Sequence, residues 1–223
     1  MNKIRIILLD ALILFAVSTV FVALADQAFS GLKANIPKDD PVVTAIGKGE
    51  LSNLESVIAT LESNSKASVA TQTDEHGRSS LMRAAYANLS DSDKLKEADK
   101  KRVPMIATLL AHGAPVDGQD SDGWTALMWA AWSGMPGVVN ALLEKSASHA
   151  LADRQGNTAL IIAAQRGHAD IVTALLANGA SQTAKNKAGR TARDAAQTGL
   201  DQHPASQYPK RSVGYHATLA ELK

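Results

Sequence analysis

Asp153-Arg154-Gln155-Gly156-Asn157-Thr158-Ala159-Leu160-Ile161-Ile162-Ala163-Ala164-Gln165-Arg166-Gly167-His168 is one period of a pattern that recurs along the chain. It continues through Ile171-Val172 and Leu175-Leu176 to Gly179-Ala180. Gly123 to Gly156 is 33 residues, and Gly156 to Gly189 is 33 again. Gly77 to Gly123 is 46, which is 33 plus an insertion of 13. A hydroxyl follows two residues after the first three glycines, at Ser79, Thr125 and Thr158, and Ala-Ala comes after it, ending at Ala85, Ala131 and Ala164. The fourth frame, Gly189-Arg190-Thr191, keeps Ala196 in that register. A fixed period of this length marks stacked structural repeats.

The physics of one unit follows from its residues. Gly allows the positive φ of a tight turn. Thr125 or Thr158 then caps a first helix, its hydroxyl accepting an N–H of the first turn. The small Ala pair lets a second helix pack closely, and Gly167 ends the first. Ile171, Val172, Leu175 and Leu176 form the buried stripe of that second helix. One unit cannot bury both its faces, so neighbours must stack.

These positions resemble the ankyrin-repeat family over about residues 42–200. The units at Gly123 and Gly156 come near the full pattern, although the family's Thr-Pro-Leu-His reads Thr125-Ala126-Leu127-Met128 and Thr158-Ala159-Leu160-Ile161. The resemblance implies an all-α ankyrin-repeat solenoid of about five helix-turn-helix units with β-turn fingertips. The expected divisions are an export signal peptide at 1–25, a linker at 26–40 and an N-terminal capping repeat at 41–73. Repeats follow at 74–119 (with an insertion at 89–102), 120–152 and 153–185, and a C-terminal capping repeat at 186–223.

The chain has 223 residues, with 23 Lys and Arg against 22 Asp and Glu. Removing Lys3, Arg5 and Asp10 with the first 25 residues leaves 21 against 21. A neutral balance argues against a general nucleic-acid footprint. The absence of Cys removes disulfides, thiolate metal sites and Cys nucleophiles. A basic start at 1–5, an apolar stretch at 6–25 and the small-x-small sequence Ala23-Leu24-Ala25 read as an export signal cut after Ala25. The competing reading is an uncleaved anchor, since the stretch is barely long enough to span a bilayer. Either way the repeats are expected outside the inner membrane, in a periplasm.

Along the chain, Leu54, Val57, Ile58 and Leu61 form the inward stripe of an N-terminal capping helix pair. The connection at 64–73 is longer than in the middle units. The first helix of the next unit is expected over 79–87, and Asn88 stands where later units have Gly, in a position that favours the left-handed conformation. The insertion reads either as a solvated extension of the outer helix or as a partner-specific protrusion. Its Lys100-Lys101-Arg102 run reads as charged surface. Pro136 opens an outer helix, and Ser146 replaces the usual Gly. Residues 200–209 are turn-rich, and a last helix is expected near 213–222.

No P-loop, Gly-x-Ser-x-Gly or His-Glu-x-x-His is present, and the six histidines are dispersed without ligand spacing. No catalytic residue, metal or cofactor is therefore assigned. Asp120, Asp122 and Asp153 flank turns, where their expected role is to accept backbone N–H bonds. Trp124, Trp129 and Trp132 are all the tryptophans of the chain and fall in one unit. Trp129 is expected in the core, and Trp124 and Trp132 as interface anchors on the recognition side.

Carried onto this chain, the family's contact positions are Arg78, Asp122, Trp124, Arg154, Gln155, Asn157 and Arg190 at the fingertips. Tyr86, Trp132, Gln165 and Arg166 complete the set at the inner-helix ends. Residues 185–223 hold 7 basic and 3 acidic side chains, which suits an acidic patch on the partner. The expected function is non-catalytic protein–protein binding in the periplasm by a monomer, as an inhibitor or immunity protein for a cognate toxin or envelope enzyme. The alternative is a stress-protection scaffold of the kind associated with bacterial catalases. Neither nucleic acid nor membrane is an expected partner once the signal is removed.

Overall fold

A computed structural model describes residues 41–64, 73–89, 91–203 and 209–222, all within the unit Pro41–Lys223. The export signal, the linker and most of the 64–73 connection lie outside the described residues, as does the 204–208 part of the turn-rich segment. The described residues form ten α-helices and no strand, with isolated bridges joining Thr73 to Ser79 and Ala152 to Thr158. They are α1 (Pro41–Lys48), α2 (Leu51–Asn64), α3 (Ser80–Ala84), α4 (Ser92–Ala111) and α5 (Ala126–Ser133). They continue with α6 (Pro136–Glu144), α7 (Ala159–Arg166), α8 (Ala169–Ala177), α9 (Ala192–Gln202) and α10 (Pro209–Glu221). Among the described residues, no helix is long and apolar enough to cross a membrane.

Each inner helix starts as its sequence requires. Ser79, Thr125, Thr158 and Thr191 hold extended backbone and accept from the N–H three residues on, at Met82, Met128, Ile161 and Asp194. Thr191 and Asp194 also bond in the reverse direction, which completes a capping box. The inner helices α5 and α7 are buried along most of their length, and the outer helices bury one stripe, as in Val138, Val139, Leu142 and Leu143 of α6. Each fully buried aliphatic side chain contributes about 1.5–3 kcal/mol, so most of the stability resides in the layers between helices.

The fingertips form a ladder with the period of the sequence. Ser121 N–H donates to His76 O, Arg154 to Asp122 O and Lys187 to Gln155 O, at 2.8–2.9 Å. Inner-helix ends are covered by the following unit. Gly134 and Gly167 end α5 and α7 in the left-handed conformation, with φ of 76° and 73°. A Cβ on Gly134 would lie 2.6 Å from the His168 ring, and one on Gly167 3.0 Å from the Tyr215 ring. His168 Nε2 reaches Trp132 O at 3.4 Å, and Tyr215 Oη donates to Gln165 O at 2.8 Å. Glycine is required here both by φ and by the ring that sits on it.

Several local expectations are corrected. Helix α3 stops at Ala84, and Asn88 is not left-handed, because Ser146 is the one described non-glycine residue with positive φ. The carbonyls of Arg83, Ala84 and Tyr86 are instead met by the Arg102 guanidinium. Arg102 is therefore no free surface charge, and burial lowers its pKa. The insertion is helical and prolongs the outer helix α4 at its N-terminus, where Asp91 caps Asp93 and Lys94. Pro104 lies inside α4, and the carboxylate of Asp99, five residues before it, accepts from Gly137 and Val138 N–H and so caps α6 of the next unit. So the insertion ties two units together and is not a merely solvated extension.

Candidate protein-binding face

The site is built from four turns and the inner-helix ends beside them. At each turn one side-chain oxygen closes the loop. Asp74 Oδ1 accepts from His76 and Arg78 N–H, Asp120 Oδ1 from Asp122 and Trp124, and Asp153 Oδ1 from Gln155 and Asn157. Asn186 Oδ1 does the same for Ala188 and Arg190. The second atom of the group then selects the side chain behind the turn. Asp74 Oδ2 takes Arg78 Nε at 3.0 Å and Arg83 Nη2 at 3.2 Å. Asp120 Oδ2 accepts from the Trp129 indole at 3.1 Å, and Asp153 Oδ2 from Asn157 Nδ2 at 3.0 Å. Asn186 Nδ2 donates to Asn157 Oδ1 at 2.8 Å.

These bonds shape the electrostatics. Burial pushes the Asp74 carboxyl up, but the N–H donors and the Arg78 and Arg83 guanidiniums outweigh it and leave the pKa below its ordinary value. Among the described residues, Asp120 has no cation in the same role. Burial raises its pKa, and the N–H bonds of Trp124 and Asp122 and the Trp129 indole offset this only in part.

The turns hold a row of rings. Trp129 is 8% exposed and lies in the core as expected. Trp124 stacks at a tilt on Trp129 with centroids 4.8 Å apart, and Tyr86 meets Trp129 edge-on at 5.3 Å. Trp124 and Trp132 meet edge-on at 5.8 Å, and the Arg166 guanidinium lies 4.1 Å over the Trp132 ring. Tyr86, Trp124 and Trp132 are each half-buried, and Arg166 is exposed. The structure thus brings together four expected contact residues from three successive units.

The other candidates divide. Asp122 and Arg154 are exposed on adjacent fingertips, their charged atoms 4.0 Å apart. Gln155 is exposed beside them, while Gln165 and Arg190 are half-buried. Arg78 and Asn157 are corrections, at 8% and 4% exposed. Their side chains fold back onto the turn residues Asp74 and Asp153, so neither is presented to a partner. Ser133, at the end of α5, is also buried, where its Oγ accepts from Ala87 N–H of the preceding unit.

Sequence reasoning missed Arg102, Asp99, Arg83 and Tyr215 as supports of this face. A signal for Arg102 existed in the register, since it stands 66 residues before His168, two full periods.

Two family models match the chain. One describes ankyrin repeats in three copies and covers residues 96–153. The other describes ankyrin repeats in many copies and covers residues 142–196. No curated protein matches the chain.

Proposed function

Since the chain is an ankyrin-repeat protein, and such repeats serve as protein–protein interaction modules, we propose that it is a non-catalytic binder whose contact surface is the face of Tyr86, Trp124, Trp132 and Arg166. The observation that carries this reading is the half-buried Trp124–Trp132 pair under the Arg166 guanidinium. Aromatic rings and Arg in a desolvated cluster are the side chains that dominate interface energetics. The fingertip pair Asp122–Arg154, exposed beside the rings, supplies the polar rim such a centre needs.

The proposal extends to location and role. The N-terminal sequence supports export with cleavage after Ala25, which puts the repeats in the periplasm. All three tryptophans lie in one unit, and one dense anchor suits one cognate target, hence an inhibitor or immunity protein for a toxin or envelope enzyme.

The test is capture from the native envelope with three baits, namely the full chain, a Trp132→Ala/Arg154→Ala variant and an Asn140→Ala/Thr173→Ala variant of the outer helices. The proposal expects one stoichiometric protein that is lost with the first variant and kept with the second. A toxin or enzyme inhibited in the complex supports the immunity role, whereas a catalase left active points to the scaffold alternative. Capture lost only with the outer-helix variant overturns the face.

A further inference from the structure

Guanidiniums gather at the Tyr86 end of the ring cluster, where Arg102 bonds the Tyr86 carbonyl and Arg78 and Arg83 share Asp74. Burial dominates the environment of the Tyr86 hydroxyl and raises its pKa, and the Asn88 side chain that bonds it and the positive charges of Arg166, Arg102 and Arg78 act against that. Arg102 is tied to the end of α3, and Arg78 lies buried beneath the surface. One carboxylate, Asp74, serves both Arg78 and Arg83. The buried Nη2 of Arg78 has no hydrogen-bond partner among the described residues. Three guanidiniums, of Arg166, Arg102 and Arg78, thus act on Tyr86, while Asp74 is shared by Arg78 and Arg83 and Asp120 is engaged by its turn and by Trp129. Next to this charge lie the apolar Trp124 and Trp132 rings.

We propose that the face binds an acidic segment of a partner protein. A carboxylate of that segment sits at the Tyr86 hydroxyl and the exposed Arg166 guanidinium, and an apolar or aromatic side chain near it in sequence lies on Trp124 and Trp132. Arg78 and Arg102 do not touch the carboxylate. They keep the ground beneath Tyr86 positive, and a fixed charge in a partly desolvated setting acts more strongly than one in water. This inference rests on the protein-binding reading above. A nucleic acid fits less well, because Glu75 and Asp122 are exposed along the same fingertips and would repel a polyanion.

All three tryptophans belong to the cluster, so their emission reports occupancy directly. Phage-displayed dodecapeptides are selected on the full chain, and the strongest is synthesised and titrated by tryptophan emission. The expected peptide carries Asp or Glu within two residues of an aromatic or aliphatic side chain. Replacing that acid by its amide weakens binding roughly ten- to a hundredfold. Arg166→Gln causes a similar loss, and the two losses combine to less than their product, as for groups in contact. Tyr86→Phe, which deletes only the hydroxyl, gives a smaller loss. The peptide substitution needs no change in the protein and so is independent of folding.

Peptides without an acidic residue, equal binding by the amide peptide, or displacement of the peptide by oligothymidylate overturn the acidic segment. If binding is then still abolished by Trp132→Ala, the protein-binding face stands without it. If no peptide is selected above the Trp132→Ala control, or emission does not move on binding, both readings fail.

Discussion

Asp74, Asp120, Asp153 and Asn186 each close a fingertip with the same atom and use the other for different chemistry. At Asp74 the folded state holds the carboxyl below its ordinary pKa of 3.8. Its stabilising contribution is therefore complete above that value and is lost as pH falls through the folded-state value. Asp120 has the opposite sign, since its raised pKa favours the fold below 3.8 and this is lost as pH rises through the folded-state value. In Asp74→Asn the acid-side fall in stability, measured by denaturant unfolding from pH 5 to pH 2, is expected to be shallower than in the wild type. It does not vanish, because the Asp194 carboxyl, held down by Thr191, titrates in the same direction. An unchanged slope would contradict the role given to Asp74.

Ser146 adopts a φ of 63° where the neighbouring units have Gly113 and Gly179. The left-handed conformation costs a non-glycine residue about 1–2 kcal/mol, offset in part by the greater freedom of unfolded glycine. Ser146→Gly is therefore expected to raise stability by about 0.5–1 kcal/mol in denaturant unfolding. Truncation should separate the rings. Trp129→Ala costs about 3–5 kcal/mol as a core deletion, whereas Trp132→Ala costs about 1–2 kcal/mol, the scale of a ring pair on a part-open surface. Equal costs would place Trp132 in the core. Hydroxyl caps and turn carboxylates were legible in the sequence because their partners lie within four residues. Arg78 and Asn157 were not, since the contact position of the family says where a side chain starts and not that it folds back onto its own turn.

Between elements, the supports come from distant residues. Asp99 in the prolonged part of α4 caps α6 across 38 and 39 residues of sequence. Asp99→Ala is expected to lower stability by about 1 kcal/mol, as for other lost N-caps. The insertion was legible as an extension of the outer helix, but its two long-range tasks leave no local trace. At the other end, α10 approaches α7 so closely that a Cβ on Gly214 would lie 2.6 Å from the Gly167 carbonyl oxygen. Gly214→Ala must displace α10, and Tyr215 with it. The expected result is faster amide exchange confined to α9 and α10, with the middle units still protected. Exchange at the wild-type rate would mean that this contact does not hold the last helix.

For the whole molecule, the 33-residue period announced the stack, because each unit repeats the same local solution and contacts only its neighbours. The candidate face was legible in part. Its rings could be placed by register, but their mutual stacking and the Arg166–Trp132 contact depend on side-chain directions that spacing does not report. Fingertip charge runs from exposed Glu75 through the Asp122–Arg154 pair to exposed Lys187, which orients a partner more than it binds one. The central claim is that a protein partner covers the tryptophan face. The direct measurement is acrylamide quenching of tryptophan emission in the full chain, alone and saturated with the captured partner. The account predicts that quenching falls markedly on saturation, because Trp124 and Trp132 leave solvent. Saturable binding by calorimetry with unchanged quenching would contradict it and move the contact to another surface.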